Sequence, residues 1–206
     1  MMHAITVAMT GASGAIYGLR LVECLLRANK DVAFLLTKPA HIVIATETSF
    51  KLPTRSEAIR DALCERFGAP SERLHVYGQE QWSAPIASGS NTAAAMVVCP
   101  CTSSTLSAIA AGSSDNLLER AADVMIKERR QLILVPRETP LSPIHLENML
   151  KLARIGVTIL PACPGLYHNP TTVLGVIDFV VARVLDHLGV AHALLPRWGA
   201  DEAVQE

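Results

Sequence analysis

The sequence predicts an α/β protein: a three-layer α/β/α domain on a doubly wound, mainly parallel sheet. Two patterns carry that reading. Residues 4–9, Val32–Leu36, 94–98 and 132–135 are apolar at nearly every position. Strands of that kind are buried on both faces, as parallel strands covered by helices are. Segments with helical periodicity lie between them, such as residues 15–28, where Leu19, Val22, Leu25 and Leu26 share one face. The arrangement is Rossmann-like.

The other elements follow in chain order. Pro39 suits the first turn of a helix running to about Thr48. Residues 54–67 read as a helix with its charges outward, and Leu74–Tyr77 as a short strand. A polar loop over 78–92 contains Trp82 and Ala87-Ser88-Gly89-Ser90. Helices are expected over Ser103–Ala111 and 116–130, a strand over 157–160 and a last helix over 171–188. Ser142 suits the cap of a helix over 142–154. The expectation is one domain over residues 1–198 and a short, polar, mobile tail over 199–206.

Composition narrows the partners. Charged residues are 18% of the 206 and apolar residues 50%. Soluble domains average roughly 25% charged, so subunit contacts are expected to bury part of this surface. A net charge of -1 excludes nucleic acid and anionic membranes as obvious partners. No apolar run approaches the roughly 18 residues of a membrane helix, and the first residues lack a signal peptide's basic region. The expected location is cytoplasmic. Five cysteines, an odd number, argue against a disulfide framework. In a strand over 93–101, Cys99 and Cys101 share a face and read as buried apolar thiols rather than half a metal site.

In a doubly wound sheet, ligands bind beyond the carboxyl ends of the strands. Thr10-Gly11-Ala12-Ser13-Gly14 follows the first strand, Thr37 the second, Thr102-Ser103-Ser104-Thr105 the fourth and Arg137-Glu138 the fifth. The sixth leads to Gly165-Leu166-Tyr167-His168. The glycine turn lets backbone approach a ligand, and the helix after it offers N–H groups to an anion. The spacing is not G-x-G-x-x-G, and the second strand ends in Thr37-Lys38 without a ribose-binding carboxylate. Both features favour a mononucleotide such as FMN over NAD or FAD. The four hydroxyls at 102–105 suit a phosphate or a flavin edge, although capping needs only one of them.

Arg120 and Lys127 lie seven apart on one helix face, and Asp123 and Lys127 have i, i+4 spacing. Arg129 and Arg130 suit a helix carboxyl end. Arg183 has Asp186 as a natural partner in an otherwise apolar helix. Glu47 and Glu138 are both candidates for proton transfer. The residues leave open which one acts.

Several of these segments together resemble one family. They are Thr10-Gly11-Ala12-Ser13-Gly14, Ala45-Thr46-Glu47-Thr48, Ala87-Ser88-Gly89-Ser90, Cys99-Pro100-Cys101 and Asn116-Leu117-Leu118-Glu119-Arg120-Ala121-Ala122-Asp123. Lys127-Glu128-Arg129-Arg130, Pro136-Arg137-Glu138, His145-Leu146-Glu147-Asn148-Met149, Pro164-Gly165-Leu166-Tyr167-His168 and Pro196-Arg197-Trp198-Gly199 complete the set. Over nearly the whole chain the sequence resembles the UbiX-type flavin prenyltransferases, formerly described as 3-octaprenyl-4-hydroxybenzoate carboxy-lyases. Flavin-containing cysteine decarboxylases are more distant relatives.

The resemblance implies transfer of a dimethylallyl group from dimethylallyl monophosphate to reduced FMN. The prenylated FMN would then serve a UbiD-type decarboxylase of ubiquinone synthesis. By position, Gly11, Ala12, Ser13, Thr37, Thr102, Ser103, Ser104, Thr105 and Arg137 are implied to hold FMN. Arg120, Lys127, Glu138, Tyr167 and Arg183 are implied to form the prenyl-phosphate site, with Trp82 against the prenyl chain. Ser13, Glu47, Lys127 and Glu138 are the implied catalytic set, and the implied assembly is a homododecamer. The sequence holds no Asp-Asp-x-x-Asp cluster, so no metal is expected. The competing readings are direct FMN-dependent decarboxylation of an aromatic acid or cysteine, and a non-catalytic flavin carrier. A carrier needs no cationic pocket beside the flavin.

Overall fold

The computed structural model describes residues 4–197. The expected tail, together with Trp198 and Gly199 of the last motif, lies outside the described residues. Strands β1 (Ile5–Met9), β2 (Val32–Leu36), β3 (Leu74–Tyr77), β4 (Ala95–Cys101), β5 (Gln131–Pro136) and β6 (Thr158–Ile159) form one sheet. Its order is β3-β2-β1-β4-β5-β6, and every neighbouring pair is parallel. The order reverses between β1 and β4, so the crevice for a ligand opens there.

Side-chain alternation builds the three layers. Ile5, Val7 and Met9 of β1 and Val32, Phe34 and Leu36 of β2 face one apolar cluster, while Ala8, Ala33 and Leu35 face the other. The first cluster is covered by α1 (Ala15–Arg27), α2 (Lys38–Glu47), α3 (Ser56–Phe67) and α7 (Val173–His187). The second is covered by α4 (Ser103–Ala111), α5 (Leu117–Lys127) and α6 (Pro143–Arg154). Ala84, Ile86 and Ala93 of the loop before β4 also pack into this second cluster. That loop contains two short 3₁₀ turns, Pro85–Ala87 and Gly89–Asn91.

Three expectations are corrected. Cys99 and Cys101 do not share a face: Cys99 packs in the first cluster and Cys101 in the second. The β4–β5 register shifts between Val98 and Cys101, which breaks the two-residue alternation. Burial raises both thiols, Cys101 to about 12 and Cys99 beyond that, so both behave as apolar residues. The helix expected over 116–130 stops at Lys127 because Arg129 turns left-handed, with φ 53°. Arg129 N–H donates to Ile126 O and Arg130 N–H to Met125 O, a Schellman closure without its usual glycine. The helix expected from residue 54 starts at Ser56, because Arg55 is still extended.

The cap of α6 falls at Ser142, as expected. Ser142 accepts from His145 N–H, and His145 Nδ1 accepts from Ser142 N–H, which closes a capping box on α6. Among the described residues, no helix is long and apolar enough to cross a membrane.

Gly18 shows how closely α1 lies on the sheet. A Cβ there would sit 2.3 Å from Cys99 O and 2.8 Å from Met9 Sδ. Gly18→Ala is expected to lower stability by about 1–3 kcal/mol, the usual penalty of overpacking. Urea unfolding measures this, and an unchanged midpoint contradicts the packing described.

Candidate active site

The carboxyl edge of the sheet is built around Thr10. This buried hydroxyl donates to Pro100 O at 2.7 Å and accepts from Thr102 N–H at 2.9 Å. It thereby joins the ends of β1 and β4 across the switch point. Sequence reasoning gave Thr10 no role of its own. The available signal was a hydroxyl ending an apolar strand directly before a glycine turn.

The glycine turn serves packing as well as access. A Cβ on Gly11 would meet Pro39 Cβ at 2.4 Å, so Gly11 makes room for the first turn of α2. Gly14 is left-handed, with φ 102°, and caps α1 without a side chain. The expectation that α1 offers open N–H groups to an anion fails at Gly14 and Ala15. Both donate to Glu47 Oε2 of α2, at 2.8 and 2.9 Å. Burial pushes the Glu47 carboxyl upward. Hydrogen bonds from the Ser13 side chain, Ala15 N–H and Gly14 N–H, with the charge of Arg137, outweigh it and leave Glu47 below the usual carboxylate range.

The amino end of α4 is different. Thr102 is its cap and accepts from Thr105 N–H at 3.2 Å, while its hydroxyl donates to Thr105 Oγ1 at 2.9 Å. Leu106 N–H donates to Thr102 O. The first-turn amides of Ser103 and Ser104 therefore have no partner among the described residues, and they point out of the helix start. Ser103 Oγ donates to Glu138 Oε2 at 3.0 Å. That bond, the Thr139 N–H and the charges of Arg137 and His145 hold Glu138 below its ordinary range, against slight burial. Arg137 Nε donates to Ser13 O at 3.1 Å, so the end of β5 grips the glycine turn. Thr37 caps α2 by accepting from Ala40 N–H.

The structure thus brings Gly11, Ala12, Ser13, Thr37, Glu47, Thr102, Ser103, Ser104, Thr105, Arg137 and Glu138 to one edge. Of the remaining sequence candidates, Lys127 and Arg183 lie away from that edge within the chain, whereas Arg120 stands in the first turn of α5, whose Leu117 N–H donates to Gln79 O just beyond β3. Trp82 is exposed on the loop before β4. Arg120 lies on α5, where its Nε donates to Ala87 O and its Nη1 pairs with Asp123 at 2.9 Å. Lys127 is at the far end of α5 and pairs with Glu128 rather than Asp123. A Cβ on Gly89 would lie 2.7 Å from Lys127 Nζ, which places Lys127 near the start of β4 at the amino edge. Tyr167 and Arg183 line a cavity of about 380 Å³ beside α7, with Phe179, His192 and Arg197. Arg183 pairs with Asp186 at 2.8 Å. Gln131 Nε2 donates to His187 O, so this end of α7 also lies at the amino edge.

Comparison with known proteins gives this geometry a family. The Flavoprotein family model matches residues 1–185. The flavin prenyltransferase UbiX of Pseudomonas aeruginosa is 55% identical over 202 residues, 98% of this chain and 97% of that one. The chain belongs to the UbiX-type flavin prenyltransferases. Solved structures agree with that membership. AnUbiX in complex with FMN and dimethylallyl pyrophosphate is 38% identical with a TM-score of 0.85, covering 96% of this chain and 98% of that one. The dodecameric FMN-dependent UbiX-like decarboxylase of Escherichia coli O157:H7 is 39% identical with a TM-score of 0.84, covering 95% and 98%. The family match brings FMN as cofactor, and the carboxyl edge has groups suited to one: backbone amides, hydroxyls and a guanidinium. Among the described residues, no group of three or more His, Cys, Asp or Glu is arranged to hold a metal.

Glu47 gives a pH prediction. Its folded carboxyl is depressed, so its contribution to stability is present above the unfolded value of about 4.3 and is lost as pH falls through the lower folded value. Glu47→Gln is expected to destabilise the protein by about 0.3–1 kcal/mol near neutrality, the size of a charge on a helix end. The difference from wild type should vanish in acid. Thermal unfolding across pH measures this, and a gap that widens in acid contradicts it.

Proposed function

We propose that this chain transfers the dimethylallyl group of dimethylallyl monophosphate to reduced FMN. The observation that carries the reading is the unpaired amino end of α4, lying beside Arg137, Glu138 and the Glu47–Ser13 pair. The Ser103 and Ser104 amides, the Thr102 and Thr105 hydroxyls and Arg137 hold the flavin phosphate. Gly11, Ala12 and Ser13 present backbone to the flavin, and Thr37 bounds it at the end of β2. Reduced flavin supplies the nucleophile: the ester C–O bond breaks, phosphate leaves, and the prenyl group closes as a fourth ring with loss of a flavin proton.

Glu138 handles that proton and stabilises the departing phosphate through Ser103 and Arg137. Glu47, held ionised, keeps the Ser13 hydroxyl oriented as a second proton path. Arg120, Lys127, Tyr167 and Arg183 bind the prenyl phosphate, and Trp82 lies against its chain. Lys127 is the cation of that set assigned to catalysis. A monophosphate held by such cations needs no metal.

Lys127 and Arg183 lie away from the carboxyl edge of their own chain, and on this reading neighbouring protomers supply them. Ile144, Leu146 and Leu150 on α6 and Val173 and Leu174 on α7 are exposed apolar side chains suited to such contacts. The dodecameric Escherichia coli relative supports a homododecamer here. The reading extends to a cytoplasmic enzyme whose product passes to a UbiD-type decarboxylase of the ubiquinone pathway. That relative is an FMN-dependent UbiX-like decarboxylase, which favours a second reading, direct release of carbon dioxide from an aromatic acid or cysteine.

Mass spectrometry of flavin after incubation of the protein with reduced FMN and dimethylallyl phosphate decides between them. A gain of one C5H8 unit is expected; unchanged flavin with carbon dioxide release from an aromatic acid or cysteine selects the second reading. Glu138→Gln should still bind FMN but lose about 10²–10⁴ in rate in single-turnover spectra. Wild-type rates would remove Glu138 from the mechanism. Lys127→Ala should weaken use of the prenyl phosphate and leave FMN bound. Assemblies reformed from Lys127→Ala and Glu138→Gln chains should recover activity that neither has alone. No recovery contradicts a site shared between protomers.

A further inference from the structure

After β6 the chain folds into a tight aromatic cluster against α7. Gly165 belongs there because a Cβ would lie 2.9 Å from Phe179 Cζ and 3.2 Å from Tyr167 Cε1. His168 stacks on Phe179, with ring centroids 5.7 Å apart and planes at 11°. Tyr167 stands edge-on to both, 5.8 Å from His168 at 80° and 5.7 Å from Phe179 at 82°. Stacked and edge-to-face pairs are favoured aromatic geometries. Asn169 N–H closes a turn onto Leu166 O, with Asn169 left-handed at φ 50°.

His168 Nε2 lies 3.4 Å from Gly175 O in the first turn of α7. A carbonyl only accepts, so the contact assigns the ring hydrogen to Nε2. That leaves Nδ1 a bare acceptor. It is buried without a partner, the one such side-chain nitrogen or oxygen among the described residues. A buried acceptor left unpaired lowers stability, and its presence in a folded protein calls for a reason. A phenylalanine would make the same stack without that cost. What phenylalanine lacks is the donor to Gly175 O.

We infer that His168 is a positioning residue: its bond to Gly175 O and its stack on Phe179 aim Tyr167 at the Arg183 cavity. The inference rests on the reading of Tyr167 and Arg183 as prenyl-phosphate groups. His168 is not among the groups assigned to flavin or prenyl phosphate; it acts through the ring beside it. Its cost to the fold is the price of a fixed Tyr167.

Calorimetric titration of dimethylallyl phosphate into the assembled, FMN-loaded protein tests this, with wild type and His168→Phe compared. His168→Phe should unfold at the same or a higher temperature and bind FMN as wild type does. Its Kd for dimethylallyl phosphate should rise about five- to tenfold, the size of one lost hydrogen bond. Adding His168→Phe to Tyr167→Ala should produce no further rise, because the two act as one unit. His168→Gln, which keeps a donor, should recover part of the loss. An unchanged Kd in His168→Phe overturns the inference. So does a Kd that rises only together with lost thermal stability and lost FMN. Wild-type protein that binds dimethylallyl phosphate but leaves the flavin unmodified removes the prenyl-transfer reading, and the Kd comparison still decides His168. Wild-type protein that does not bind the phosphate overturns both.

Discussion

The hydroxyl of Thr10 is the constraint on which the site depends. It donates to Pro100 O and accepts from Thr102 N–H, so it fixes the end of β1 against the end of β4. Those two strands bound the switch point of the sheet. The turn into α1 and the turn into α4 leave from the same small region with a set separation. Valine would keep the shape and lose both side-chain bonds, leaving the Thr102 amide unpaired and Pro100 O with only the Thr10 N–H. Every group assigned to the flavin lies within a few residues of this junction or is tied to it.

Two helix starts meet there, and they are used differently. Glu47 comes from α2 and occupies the amides of Gly14 and Ala15. A carboxylate already sits where a phosphate would sit on many folds of this class. The start of α4 keeps the Ser103 and Ser104 amides open, and Arg137 supplies the nearest guanidinium, itself gripping Ser13 O. The edge is therefore split into an anionic corner at Glu47 and an anion-accepting corner at α4. Glu138 lies at the second corner, held ionised by Ser103. That split suits a reaction in which one group must take a proton while a phosphate is held a short distance away.

Much of this was legible in the sequence, for physical reasons. Apolar runs such as Val32–Leu36 can exist only between two helical layers, so they fix the sheet. The rule that ligands sit at carboxyl ends then gathers Gly11, Thr37, Thr102 and Arg137 without any structure. What was hidden depended on long-range pairing or on small irregularities. Glu47 reaches the amides of Gly14 and Ala15 from more than thirty residues away, and no local pattern announces it. The face of Cys101 depends on a register shift that composition does not encode. Arg129 closes α5 in a conformation that usually takes glycine or asparagine, so the helix end ran long in the sequence reading. Spacing offered Lys127 to Asp123, but Arg120 claims that carboxylate first. Lys127 and Arg183 sit near the ends of α5 and α7 that return to the amino edge, a placement that seven-residue spacing does not announce.

The central claim is that the flavin phosphate rests on α4 while Glu47 keeps the start of α1. A crystal structure of the FMN complex tests it most directly. The account predicts phosphate oxygens about 3 Å from the Ser103 and Ser104 amides, with Arg137 close by and Glu47 still bound to Gly14 and Ala15. A phosphate seated on Gly14 and Ala15, with Glu47 displaced, would contradict it.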